Sequence, residues 1–199
     1  MGKLTVSACK TQEGVEIPGL LIITPTVFRD DRGYFTETYC LRDLEEVGIR
    51  ENFVQDNQSC SVKGVLRGLH FQKQYPQGKL VRMVQGSVFD VAVDLRKDSP
   101  TFGKWYGDIL SGENFKQLYI PKGFAHGFLV LSETAVACYK QTEYYCPGDD
   151  FGIAWDDPFL NISWPVISGK NCLADGTRLC LSSKDRTWPG FQEYFEKHG

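Results

Sequence analysis

Lys79-Leu-Val-Arg-Met-Val-Gln-Gly-Ser-Val-Phe-Asp-Val-Ala-Val-Asp-Leu95 reads as two strands folded about a tight Gln85-Gly86 turn. The first runs from Lys79 to Val84 and the second from Ser87 to Leu95. Side chains alternate along a strand, so Phe89, Val91, Val93 and Leu95 share one face and Asp90, Ala92 and Asp94 the other. Strand signals continue outward from this hairpin. Leu20-Leu21-Ile22-Ile23 is a short apolar run stopped by Pro25, and Val65 to Phe71 follows it. Gln117 to Ile120, Gly127 to Leu131 and Ala135 to Gln141 complete the series. Leu41, Leu44 and Val47, ended by Gly48, give one short helix, and Phe191 to Lys197 gives a second. Many short strands between Gly, Pro and Asp turns predict an all-β fold, an antiparallel sandwich or jelly roll with a few short helices.

A chain of 199 residues suits one domain spanning 1–199, with enough length to bury a core. Its net charge of −3 gives no general attraction to nucleic acid or to an anionic membrane. An anionic ligand must therefore be held by local Arg and Lys side chains. No stretch approaches the length of a membrane span. The N-terminal MGKLTVSACK has no long apolar run and does not read as a secretory signal. Myristoylation at Gly2 is discounted, because Ser7 falls one place past the usual Ser/Thr position. Seven cysteines (9, 40, 60, 138, 146, 172, 180) are odd in number, irregular in spacing and without a CxxC pair. They read as reduced thiols of a cytoplasmic protein rather than as a disulfide framework or a zinc site.

The three histidines are more informative. His198 sits beside the C-terminus and reads as a frayed, exposed side chain. His70 lies in Gly64-Val-Leu-Arg-Gly-Leu-His70-Phe-Gln, and His126 in Pro121-Lys-Gly-Phe-Ala-His126-Gly-Phe. Pro-x-Gly-x-x-His resembles one half of the cupin signature, and a Gly five residues ahead of a His resembles the start of the other. Cupins are small antiparallel jelly-roll β-barrels, often with a metal inside. A metal cupin continues His-x-His and then a nearby Glu, whereas position 72 here is Gln and no Glu follows soon after. Two histidines alone rarely close a transition-metal site, so no metal is expected. On the histidines alone two readings stay open: packed core imidazoles, or an imidazole used directly as a base.

The surrounding residues separate the two. Asp30-Asp-Arg-Gly-Tyr-Phe-Thr-Glu37, Val54-Gln-Asp-Asn57, Val65-Leu-Arg-Gly-Leu-His-Phe-Gln72 and Gln77-Gly-Lys-Leu-Val-Arg82 occur in order. Phe89-Asp-Val-Ala-Val-Asp-Leu-Arg96, Ser99-Pro-Thr-Phe-Gly103 and Ile120-Pro-Lys-Gly-Phe-Ala-His-Gly-Phe128 follow. Together, from about Pro18 to Asp185, the chain resembles the dTDP-4-dehydrorhamnose 3,5-epimerase family.

The resemblance implies a nucleotide-linked 4-keto-6-deoxyhexose as substrate, a homodimer, and no cofactor. A base removes a proton next to the ketone, and an acid returns one on the opposite face. The base is implied to be His70, paired with Asp185 of Ser182-Ser-Lys-Asp after the segment Ile167 to Leu181. Asp185 also suits a helix N-cap. The acid is implied to be Tyr139, and Lys79 matches a lysine near the keto oxygen. Arg67 and Arg32 match diphosphate contacts, with Arg32 reaching across the dimer interface. Glu37, Gln55 and Asn57 match positions that bind the nucleotide base and neighbouring groups, with Phe35 beside Glu37 among the binding residues. Tyr145 matches an aromatic stacked on that base, although the adjacent Tyr144 keeps the choice open. His126, Asp150 and Lys184 match further substrate contacts. Asp90 either faces the barrel interior and orients His126, or faces solvent.

The expected function is 3,5-epimerisation of dTDP-4-keto-6-deoxy-D-glucose in dTDP-L-rhamnose biosynthesis. The alternative is a single-site epimerase of another deoxysugar nucleotide pathway. A metal-dependent cupin enzyme is disfavoured by Gln72, and a barrel that only binds nucleotide sugars is disfavoured by the set of base, partner and acid.

Overall fold

The computed structural model describes residues 4–166 and 170–198, so Gly2 and the first three residues of Ile167 to Leu181 lie outside it. Its strands are β1 (Thr5–Lys10), β2 (Glu16–Thr24), β3 (Val27–Asp30), β4 (Gly33–Thr36), β5 (Gln55–Val62), β6 (Leu66–Gln72) and β7 (Lys79–Gln85). They continue as β8 (Ser87–Asp94), β9 (Trp105–Ser111), β10 (Gln117–Ile120), β11 (Phe124–Val130), β12 (Thr134–Gln141) and β13 (Asp150–Gly152). Helix α1 (Leu41–Glu46) ends at Gly48, whose φ of +91° suits glycine alone. Helix α2 (Phe191–His198) closes the chain. Among the described residues no helix is long and apolar enough to cross a membrane.

Two antiparallel sheets form the barrel. One has the order β1-β2-β10-β7-β12-β5 and the other β13-β6-β11-β8-β9. Between them Leu20, Ile22, Val81 and Leu118 meet Val88, Ala92, Phe124 and Phe128. Outside the second sheet Val91, Val93, Ala125 and Leu129 are covered by Trp155, Trp164, Phe191 and Tyr194. Outside the first, Leu80 and Tyr119 are covered by Leu44 and Ile49 around α1. The jelly-roll expectation holds in these two facing antiparallel sheets.

The alternation expected in β8 is present, with its apolar face turned away from the barrel interior. Val91 and Val93 pack beneath the C-terminal segment, while Asp90 and Asp94 point inward and are fully buried. Asp94 is a structural knot: it accepts bonds from Arg96, Ser99 and Thr101. This explains the Ser99–Gly103 stretch as scaffold.

The expected strand Val65 to Phe71 is not plain. Arg67 pairs with Phe128 and His70 with His126, so three residues of β6 are spanned while β11 spans two. This bulge resets the alternation, and Arg67 and His70 both turn inward. Two glycines allow it. A Cβ on Gly68 would lie 2.5 Å from the Cα of Gly127, and Gly68 has φ +131°. A Cβ on Gly127 would lie 2.7 Å from the carbonyl of Arg67.

His198 is exposed but not frayed: it is the last residue of α2, its ring 5.0 Å from that of Tyr194. β11 also begins earlier than Gly127, because Phe124 already pairs with Asp94.

Candidate active site

A cavity of about 260 Å³ opens between the two sheets. Arg67, His70 and His126 enter it from the β6–β11 wall, and Lys79 and Tyr139 from the β7–β12 wall.

The Nε2 of His70 is hydrogen-bonded to Oδ1 of Asp185. This leaves Nδ1 as the ring nitrogen able to take a proton. Asp185 is only 4 % exposed and is fixed by Ser182, whose hydroxyl donates to Oδ2 at 2.7 Å. Burial alone would raise the Asp185 pKa, but the bonds from His70 and Ser182 outweigh it and hold the group below the ordinary carboxylate value. The implied dyad is thus assembled although Ser182 and Asp185 lie in a separate C-terminal segment. His126 is held in the same way, its Nε2 lying 2.9 and 3.0 Å from the two oxygens of buried Asp90. Asp90 therefore faces the interior, as one of the two sequence alternatives required.

Lys79 is 8 % exposed, and burial pushes its pKa down to about 8, against the opposing pull of Asp90 and Asp150. Burial raises the Tyr139 phenol above its ordinary value, and the Arg67 guanidinium opposes this. Arg67 donates from Nε and Nη2 to Ser61 Oγ at 3.2 and 3.1 Å, which fixes its planar fork against the wall. At the mouth, the Tyr145 hydroxyl donates to Asp150 at 3.2 Å, and Lys184 forms an ion pair with the same carboxylate. Lys184 also lies 5.1 Å above the Trp188 ring, beside His70.

Gln55 and Asn57 bond to each other at 3.1 Å and reach the cavity wall through Gln141. Arg32, Phe35 and Glu37 do not line this cavity. Arg32 pairs with Asp30 on the β3–β4 hairpin with its side chain 90 % exposed, and Phe35 is 68 % exposed. Glu37 sits instead with Cys40 and Asp43, their ligand atoms within 4.8 Å of one another outside the cavity.

Sequence reading missed Gln77, Gln141, Ser182 and Trp188. Gln141 was within reach, since it shares a strand face with Tyr139 two positions earlier. Gln72, where a metal cupin carries a ligand, is a stitch between loops. Its Nε2 donates to the carbonyls of Tyr75 and Tyr144, and its Oε1 accepts from the Cys146 amide.

Three comparisons with known proteins bear on this site. A family model described as dTDP-4-dehydrorhamnose 3,5-epimerase matches residues 14–193. The dTDP-4-dehydrorhamnose 3,5-epimerase of Methanothermobacter thermautotrophicus is 52 % identical over 177 residues, covering 89 % of this chain and 92 % of that protein. The Escherichia coli K12 enzyme of the same name is 54 % identical over 172 residues, covering 85 % and 88 %. A dTDP-6-deoxy-D-glucose-3,5-epimerase from Legionella pneumophila Philadelphia 1 was solved in complex with dTDP-4-keto-L-rhamnose. It superposes with a TM-score of 0.84 at 49 % identity, covering 94 % of each chain.

Proposed function

The chain belongs to the dTDP-4-dehydrorhamnose 3,5-epimerase family, and from that premise we propose how its cavity works. The reaction inverts carbons 3 and 5 of dTDP-4-keto-6-deoxy-D-glucose and yields dTDP-4-keto-L-rhamnose. The observation that carries the mechanism is the placement of His70 and Tyr139 on opposite walls of one cavity. A base and an acid on opposite sides of a sugar ring can remove a proton from one face and return one to the other.

The carbon 4 ketone acidifies the protons on carbons 3 and 5. His70 takes one through Nδ1, and Asp185 holds the imidazole orientation and stabilises the imidazolium. The C–H electron pair moves into an enolate, whose oxygen is stabilised by the Lys79 ammonium. Tyr139 delivers its phenolic proton to the opposite face as the enolate collapses to the ketone. Solvent then takes the proton from His70 and restores the one on Tyr139. Arg67 grips the diphosphate, with His126, Asp150 and Lys184 bordering the substrate, and no metal or cofactor takes part.

Arg32, Phe35 and Glu37 serve a neighbour's cavity in this reading, which makes the active unit a homodimer. The exposed Phe28, Tyr34 and Phe35 of the hairpin support that assignment. A monomeric mass in solution would remove it. The described cysteines are all unpaired, in keeping with a cytoplasmic setting.

The direct test is proton NMR of the keto-sugar nucleotide in deuterated water. Deuterium should enter at carbons 3 and 5. Exchange at one carbon only would make the protein a single-site epimerase, and exchange at neither would make it a binding protein.

Lys79 gives the pH dependence. Its charged form is the useful one, so activity is retained below its pKa and lost as pH rises through about 8. Tyr139 keeps its proton past that point, because burial raises it. The value of kcat/KM should fall above about pH 8, and Lys79→Arg should move this limb upward. A limb unchanged in the arginine variant would assign it to another group.

A further inference from the structure

Four side-chain amides form one directed chain around the cavity. The Tyr145 backbone N–H donates to Gln55 Oε1 at 3.0 Å, and Gln55 Nε2 donates to Asn57 Oδ1 at 3.1 Å. Asn57 Nδ2 donates to Gln141 Oε1 at 2.6 Å, and Gln141 Nε2 donates to Gln77 Oε1 at 2.7 Å. Gln77 Nε2 then donates to the Glu143 carbonyl at 3.0 Å. The chain therefore leaves the 143–145 loop through a donor and returns to it through an acceptor.

An isolated amide can turn over and exchange its oxygen for its nitrogen. Here both ends are backbone groups with fixed roles: an N–H only donates and a carbonyl only accepts. Turning any one amide over would set oxygen against oxygen on one side and nitrogen against nitrogen on the other. All four orientations are thus locked together. Gln77 and Gln141 are buried, at 8 % and 5 % exposed, so a broken link there is not replaced by bulk water.

We propose that Gln141 and Gln77 are positioning residues for nucleotide recognition. They fix which edge of Gln55 and Asn57 faces the ligand, and they hold the loop that presents Tyr145. The inference rests on the reading of Gln55, Asn57 and Tyr145 as nucleotide contacts. The diphosphate clamp at Arg67 is anchored separately, on Ser61. The relay therefore acts on the nucleoside and leaves the phosphates alone.

The test compares dTDP with inorganic pyrophosphate by calorimetry on Gln141→Met and Gln77→Met, which are uncharged and of similar length. Each breaks the chain at a different link, so either variant suffices if the other does not fold. Binding of dTDP should weaken about tenfold, the scale of one lost buried hydrogen bond. Pyrophosphate affinity and kcat at saturating substrate should stay near the parent values, with KM raised. Unchanged dTDP binding would overturn the proposal. So would an equal loss for both ligands, or a fall in kcat with dTDP binding intact. A parent protein that binds dTDP but exchanges no hydrogen would sink the epimerase mechanism and leave the relay standing.

Discussion

Replacing His70 by asparagine should abolish deuterium entry at both carbons while dTDP still binds. Asparagine keeps a polar side chain of similar reach but has no basic nitrogen. Removing a positioned base costs up to about a thousandfold or more, equivalent to roughly 4 kcal/mol of barrier. Asp185→Asn should produce a comparable loss by a different route. The amide would turn its NH₂ toward Nε2, forcing the ring proton onto Nδ1, the nitrogen that must be free. A His70→Asn protein that still washes in deuterium would remove His70 from the role of base. An Asp185→Asn protein with parental kcat would reduce that residue to a local cap for Ser182-Ser-Lys-Asp.

Tyr139→Phe should separate exchange from inversion. The ring packs against the inter-sheet core, and phenylalanine keeps that contact while deleting only the hydroxyl. The enolate can still form at His70 and regain a proton from it on the original face. Deuterium should therefore continue to enter while product formation falls by about a hundredfold, the scale of a lost general acid. Both quantities come from one NMR time course, so the comparison does not depend on enzyme concentration. Near-parental inversion in the phenylalanine variant would show that Tyr139 is only a wall aromatic, and a water or another tyrosine would be the donor.

The strands that read clearly in the sequence are those with apolar faces: β7, β8, β10 and β12 were placed within a residue or so of their bounds. The strand β5 was not, because Gln55, Asn57, Ser59 and Ser61 form its inward face. A strand that lines a polar cavity loses the hydrophobic alternation by which strands are found. The β3–β4 hairpin was hidden for the opposite reason, since Val27 to Asp30 and Gly33 to Thr36 bury little against the rest of the chain.

The chemical inventory and the fold class are legible in the residues and their order. His70, Asp185, Tyr139, Lys79 and Arg67 stand in motifs specific enough to name their family, and the short apolar strands with their turns dictate an antiparallel barrel. Which side chains share the cavity depends on how the strands pair and pack. On a regular strand Arg67 and His70, three residues apart, point to opposite faces; the bulge at Gly68 against Gly127 turns both inward. Asp185 reaches His70 from a segment distant in sequence, and the amide chain from Tyr145 to Glu143 crosses residues of two strands and two loops. Such contacts depend on the packing of elements against one another, where local periodicity carries no signal.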